Sequence, residues 1–182
     1  MKTSMKNVSK ALVAAALSAS AGFTHAATAS ANLSVTATIT SSCTISAPTA
    51  VAFGNYDPVS GVNSTTAGAV SVACAKSSIA TLWIGLSDGA NPVTGQRNML
   101  GGTGGADKLA YNLMQPASGA VGAACPAYGA GTAWTNLQAG GLTITAPPGK
   151  AARSFSVCGQ IAAGQDVSVG SYTDTVVATI NF

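Results

Sequence analysis

The 182-residue chain has no glutamate and a single histidine, His25. Charged residues make up 7% of it, against about 25% in an ordinary soluble protein. Aromatic residues are also few, at 5%. Lys and Arg form no cluster past the first ten residues, so the electrostatic footprint of a nucleic-acid binder is missing. The longest apolar run, from Ala11 to Phe23, is about 13 residues, short of the roughly 20 a spanning helix needs, and no membrane span is expected. Without Glu, and with His confined to the N-terminal segment, Ser-His-Asp and Cys-His catalysis, HExxH zinc sites and glutamate-based glycosidases drop out. No enzyme activity and no cofactor are expected.

The N-terminal segment is an export signal by pattern. Lys2, Lys6 and Lys10 precede the apolar run Ala11–Phe23, and small-residue cleavage sites lie between Ala26 and Ala29. Residues 1–26 are therefore expected to be removed. A cut after Ala26 takes away His25 and three of the eight cationic side chains, leaving five against five Asp. The exported part is then nearly uncharged, which suits association rather than mutual repulsion.

What is abundant is small and polar or apolar: 21 Gly, 20 Ser, 20 Thr and much Ala, with 47% hydrophobic residues overall. Apolar residues recur with period two. Ala31, Leu33, Val35, Ala37 and Ile39 share one face of the cleanest run. Val70, Val72 and Cys74 share another, as do Ala80, Leu82, Ile84 and Leu86, with Trp83 opposite. Leu109, Tyr111 and Leu113 follow, then Leu142 with Ile144, Phe155 with Val157, and last Val176, Ala178, Ile180 and Phe182. No window keeps a helical period. Seven or more short strands between Gly- and Pro-rich turns predict an all-β, immunoglobulin-like sandwich in one domain.

Four cysteines in an exported chain read as two disulfides. Three pairings are open; the sequence-local loops Cys43–Cys74 and Cys125–Cys158 are favoured, each stabilising by about 3–4 kcal/mol on the chain-entropy account. Other candidate chemistry has a structural reading of equal simplicity. Gly101–Gly105 precedes no helix and reads as a loop tip rather than a phosphate cradle. Asp57-Pro58 and Asp88-Gly89 lack the dense oxygen spacing of a calcium loop and read as turns. Trp83, Trp134, Tyr111 and Tyr128 are expected in packing rather than at a carbohydrate site.

The alternating run at residues 31–40 admits two readings. It can be the first strand of its own sandwich, or it can pair with another copy. An extended segment added to a sheet edge gains backbone hydrogen bonds and seats alternate side chains in pockets. Burying Leu33, Val35 and Ile39, with two alanines, would gain on the order of 6–10 kcal/mol before ordering costs.

Several motifs carry a family likeness. They are Ser42-Cys43-Thr44-Ile45, Phe53-Gly54-Asn55-Tyr56-Asp57-Pro58, Val70-Ser71-Val72-Ala73-Cys74, Arg97-Asn98-Met99 with Leu109-Ala110-Tyr111-Asn112-Leu113, and the ending Gly170-Ser171-Tyr172-Thr173-Asp174-Thr175 that runs on to Phe182. Together and in this order they resemble the spore coat protein U family, which includes major pilins of archaic chaperone–usher pili. The resemblance implies an incomplete immunoglobulin-like fold lacking its last strand. A periplasmic chaperone would lend that strand, and an outer-membrane usher would exchange it for the N-terminal segment of the next subunit. On this chain the donor residues would be Ala31, Leu33, Val35, Ala37 and Ile39 within residues 27–41. The acceptor edge would be Val176, Ala178, Ile180 and Phe182 within residues 42–182. Cys43–Cys74 would be the family's usual bridge. Val157-Cys158-Gly159 departs from the family, which more often has an aromatic before that glycine. The implied function is a structural subunit of a surface pilus, supporting adhesion and biofilm formation. A resting-cell coat protein and a tip adhesin are the alternatives.

Overall fold

The computed structural model describes residues 27–76 and 82–182. The expected export signal, with His25, and the expected core position Ala80 lie outside the described residues. Among those described there is no α-helix. The strands are β1 (Cys43–Thr49), β2 (Ser64–Cys74), β3 (Leu82–Leu86), β4 (Arg97–Gly101), β5 (Asp107–Met114), β6 (Leu142–Ile144), β7 (Arg153–Ile161), β8 (Tyr172–Thr173) and β9 (Ala178–Asn181). They form a six-stranded sheet in the order β1-β2-β7-β5-β4-β8 and a three-stranded sheet in the order β6-β3-β9. Every pairing is antiparallel.

The inward residues of both sheets meet in one core. Val70 and Val72 of β2, Leu109, Tyr111 and Leu113 of β5, and Phe155 and Val157 of β7 face Leu82, Ile84 and Leu86 of β3 and Leu142 and Ile144 of β6. Antiparallel sheets that bury one face produce the period-two patterns from which these positions were expected. Trp134 fills the core from a loop. It is fully buried and donates its indole N–H to the Ile84 carbonyl at 2.7 Å. Arg97 lies beside it, 6% exposed. Its Nε donates to Ser87 O (2.9 Å) and its Nη2 to Leu86 O (3.0 Å) and Trp134 O (2.7 Å). One guanidinium thus satisfies three carbonyls where loops meet the small sheet. Burial pushes Arg97 below its ordinary pKa, against the opposing pull of Tyr111, Asp88 and Asp174.

Both disulfides are formed. Cys43 and Cys74 sit directly opposite each other on β1 and β2 and are bonded. Cys125 is bonded to Cys158 of β7, which pins the Ala- and Gly-rich stretch around residues 117–132 to the large sheet.

Two elements differ from the sequence expectation. The C-terminal run reads as one strand from Val176 to Phe182, but only Ala178–Asn181 pair with β3, and the preceding Tyr172–Thr173 pair with β4 in the other sheet. Between the two lies Asp174, whose carboxylate accepts from Tyr111, Ala90 and Asn91. Residues 31–40, the most regular alternation in the chain, form no strand.

Candidate assembly interface

Among the described residues four strands stand at a sheet border, β1, β6, β8 and β9, and two of these flank the region described next. β1 is hydrogen-bonded only to β2, and β9 only to β3. Beyond β1 the chain continues through residues 50–58 without a ladder, and the segment before β9, residues 162–177, has a ladder only at Tyr172–Thr173. These two stretches line the same two cavities. The first, of about 590 Å³, is bounded by residues 51–58 on one side and 167–172 on the other, over Leu109 and Ile161. The second, of about 410 Å³, is bounded by residues from Ala47 to Phe53 and from Tyr172 to Ala178, over Val70, Leu86, Leu113 and Val157. Val51, Phe53, Met99 and Tyr172 border both, so the cavities are two basins of one groove. Of the half-buried apolar residues packed on the core, all but Cys43, Ile45 and Ile180 line this groove. The core is thus left open along one seam.

Polar contacts hold the walls of the seam. Asp174 accepts the Tyr111 hydroxyl at 2.6 Å through one carboxylate oxygen. Its other oxygen accepts the Ala90 N–H at 2.8 Å and the Asn91 amide at 3.2 Å. Burial pushes the Tyr111 hydroxyl pKa well above the ordinary tyrosine value, and the bond to Asp174 pushes it further. Tyr172 donates to Ser168 O at 2.7 Å, while Asp107 accepts the Ser168 N–H at 2.8 Å. Hydrogen bonding from Ser168 keeps the Asp107 carboxyl below its ordinary value. Gly170 has φ +146° and a Cβ there would stand 2.9 Å from Gly102 Cα, so both its conformation and its spacing demand glycine. The Gly-x-Tyr-x-Asp motif is therefore the set of contacts that shapes one wall. On the opposite wall, Tyr56 donates to Ala162 O at 2.9 Å, and Asp57 accepts the Val59 N–H at 2.9 Å within its own turn.

The residues expected to serve assembly are placed as follows. Residues 27–42 are exposed throughout, with Leu33, Val35 and Ile39 at 88%, 86% and 86% exposure; Ala31 and Ala37 lie in the same exposed run. Val176 and Ala178 line the smaller basin. Ile180 sits opposite Ile84 in the β3–β9 ladder and, like Val176 and Ala178, packs on the core. Phe182 follows the last strand and is 52% exposed. Sequence reasoning missed the wall from Ala47 to Pro58. Its signal was present in the Phe-Gly-x-Tyr-Asp motif, which nothing in periodicity tied to the C-terminal strand. Of the aromatic residues weighed for a carbohydrate site, Trp134 and Tyr111 are core, Trp83 is half-buried and Tyr128 is 39% exposed.

Comparison with known proteins gives three likenesses. The Spore Coat Protein U domain family matches residues 29–179. "Protein U" of Myxococcus xanthus is 33% identical over 193 residues, covering 98% of each chain. In fold, the protein is similar to a chain in the crystal structure of the CsuC–CsuE chaperone–tip adhesion subunit pre-assembly complex from archaic chaperone–usher Csu pili of Acinetobacter baumannii. That likeness has a TM-score of 0.50 at 18% identity and covers 80% of this chain. This chain spans 41% of the length of that solved chain.

Proposed function

Because the chain belongs to the spore coat protein U domain family, we propose that it is a structural subunit that polymerises by strand donation. Residues 27–41 act as the donor, residues 42–182 as the acceptor body, and residues 1–26 as the export signal. Ala31, Leu33, Val35, Ala37 and Ile39 of one copy enter the groove of the next. Val176 and Ala178 receive them on one wall, and Val51 and Phe53 on the other. The observation that carries this reading is a matched pair of incomplete features. An alternating apolar run lies exposed at 86–88% for its large residues, and a groove of mixed polar and apolar lining opens over the core between residues 47–58 and 167–178. Donor and acceptor are different surfaces, so the contact is heterologous and propagates as an open filament.

An open seam and free edges are an aggregation hazard before assembly. A periplasmic chaperone covering the groove and an outer-membrane usher exchanging it for the donor meet that need. The product is then a pilus at the cell surface, with a role in adhesion and biofilm formation. The family's name favours one further reading, a resting-cell coat built by the same strand pairing.

The test is addition of a peptide spanning residues 30–41 to the purified exported chain. The melting temperature is expected to rise with peptide concentration, as for any ligand that binds the folded state. An unchanged melting temperature at saturating peptide overturns the reading.

A further inference from the structure

Resting on strand donation as proposed above, we infer that Gly159 is a positioning residue of the acceptor groove: its missing side chain lets Val51 and Phe53 lie low on the large sheet and so keeps room above them for the donor. Gly159 stands on β7 on the same face as Phe155, Val157 and Ile161, all of them core. A Cβ there would come within 2.5 Å of Val51 Cγ1 and 2.6 Å of Phe53 Cζ. Gly68 lies diagonal to it on β2 and repeats the arrangement with one difference. A Cβ at Gly68 would meet main chain, Thr49 O at 2.8 Å and Ala50 C at 2.9 Å, besides Val51 Cγ2 at 2.8 Å. The two glycines thus floor a shallow place in the sheet on which residues 49–53 rest. Thr66, opposite Gly159 in the ladder, holds that segment down by donating its hydroxyl to Ala52 O at 2.8 Å.

What surrounds the two side chains sets the direction in which a methyl at Gly159 would push them. The backbone between them is anchored through Ala52. The Phe53 ring is stopped on one side by Tyr111, which it meets edge-on at 6.3 Å between centroids, and the Tyr111 hydroxyl is itself held by Asp174 at 2.6 Å. The open space beside both Val51 and Phe53 is the groove, since both side chains border each of its basins. A methyl on the floor therefore lifts them into that space. In the free subunit the groove absorbs the shift at little cost. In the assembled subunit the donor fills the groove, and the same shift becomes overpacking. The penalty at Gly159 falls on accepting a strand rather than on folding. At Gly68 the obstacle is the main chain that leads from β1 into the wall, so the penalty there falls on folding. A Gly159 variant keeps residues 27–41 unaltered and still donates, which separates the two halves of assembly.

The experiment titrates a peptide of residues 30–41 onto the full exported chain and onto its Gly159→Ala and Gly68→Ala variants, with the melting temperature of each free chain read alongside. Gly159→Ala is expected to fold with a melting temperature within about 3 °C of the native chain. It is expected to bind the peptide roughly 10- to 100-fold more weakly, the range that overfilling a packed site produces. Gly68→Ala is expected to show the larger drop in melting temperature. In a Val51→Ala background, where one of the two obstructing side chains is cut back, the loss of affinity caused by Gly159→Ala is expected to shrink. Native affinity in Gly159→Ala overturns the assignment while leaving strand donation standing. So does a Gly159→Ala chain that fails to fold or melts below Gly68→Ala, and so does a loss of affinity undiminished by Val51→Ala. Failure of the peptide to bind the native chain overturns strand donation itself, and with it this role for Gly159.

Discussion

Residues 31–39 and strand β2 carry nearly the same pattern and meet opposite fates. In β2, Val70, Val72 and Cys74 alternate with polar or small residues, and all three are buried. The strand lies between β1 and β7 and is hydrogen-bonded on both sides. In residues 31–39 the alternation is as regular and the large side chains bigger, yet they are exposed and no ladder forms. The difference lies outside the side-chain pattern. Period-two alternation states which face of a strand seeks a core; it does not state whose core. Among the described residues, this alternation is exposed while a groove over the core stands open.

The sharpest way to break the comparison is to make the donor face unfit for any core. Val35→Asp introduces a charge into a groove whose lining holds no Lys or Arg, where burial without a partner is prohibitive. Fibres are expected to be absent by electron microscopy while both disulfides form, because nothing in the body contacts changes. Fibres of ordinary length from this variant would break the equation of residues 31–39 with a strand.

Next in size is removal of a disulfide. The two bridges close loops of 31 and 33 residues, so each is expected to contribute about 2–5 kcal/mol by denaturant titration. Their local consequences differ. Cys43 and Cys74 are already ladder partners, whereas Cys125 anchors a stretch with little ladder of its own. Replacing Cys125 and Cys158 by Ala is expected to expose residues near 117–132 to limited proteolysis. Replacing Cys43 and Cys74 is expected to leave that stretch resistant.

Asp174→Ala is smaller. It leaves the Tyr111 hydroxyl, the Ala90 N–H and the Asn91 amide without their acceptor. A loss of about 1–3 kcal/mol is expected, read as a lower melting temperature. The same contact gives an alkaline signature. Tyr111 titrates above its unfolded value of about 10, so its contribution is complete below that pH and lost as pH rises toward the folded value. Stability is expected to fall through the range above about pH 10, and Tyr111→Phe to flatten that fall. A parallel slope in the variant would remove Tyr111 as the cause.

Much of the body was legible because its strands have one dry face. Val70, Val72, Leu109, Tyr111, Leu113, Phe155 and Val157 were marked by alternation and are core. The family likeness, read from motifs in order, agrees with the match over residues 29–179. What alternation could not supply depends on polar side chains acting across long sequence distances. Arg97 reaches carbonyls at Leu86, Ser87 and Trp134, and Asp174 ties Tyr111 to Ala90. The Asp174 contacts lie where the C-terminal segment leaves one sheet for the other. Alternation past Tyr172 therefore overran the true strand at both ends, and the wall from Ala47 to Pro58 left no periodic trace.

The change of sheet at Asp174 has a mechanical consequence. A few residues apart, the same segment is stitched to β4 at Tyr172–Thr173 and to β3 at Ala178–Asn181. Tension applied along it is divided between the two layers rather than peeling one edge. The layers must yield together, in shear, before the seam can gape.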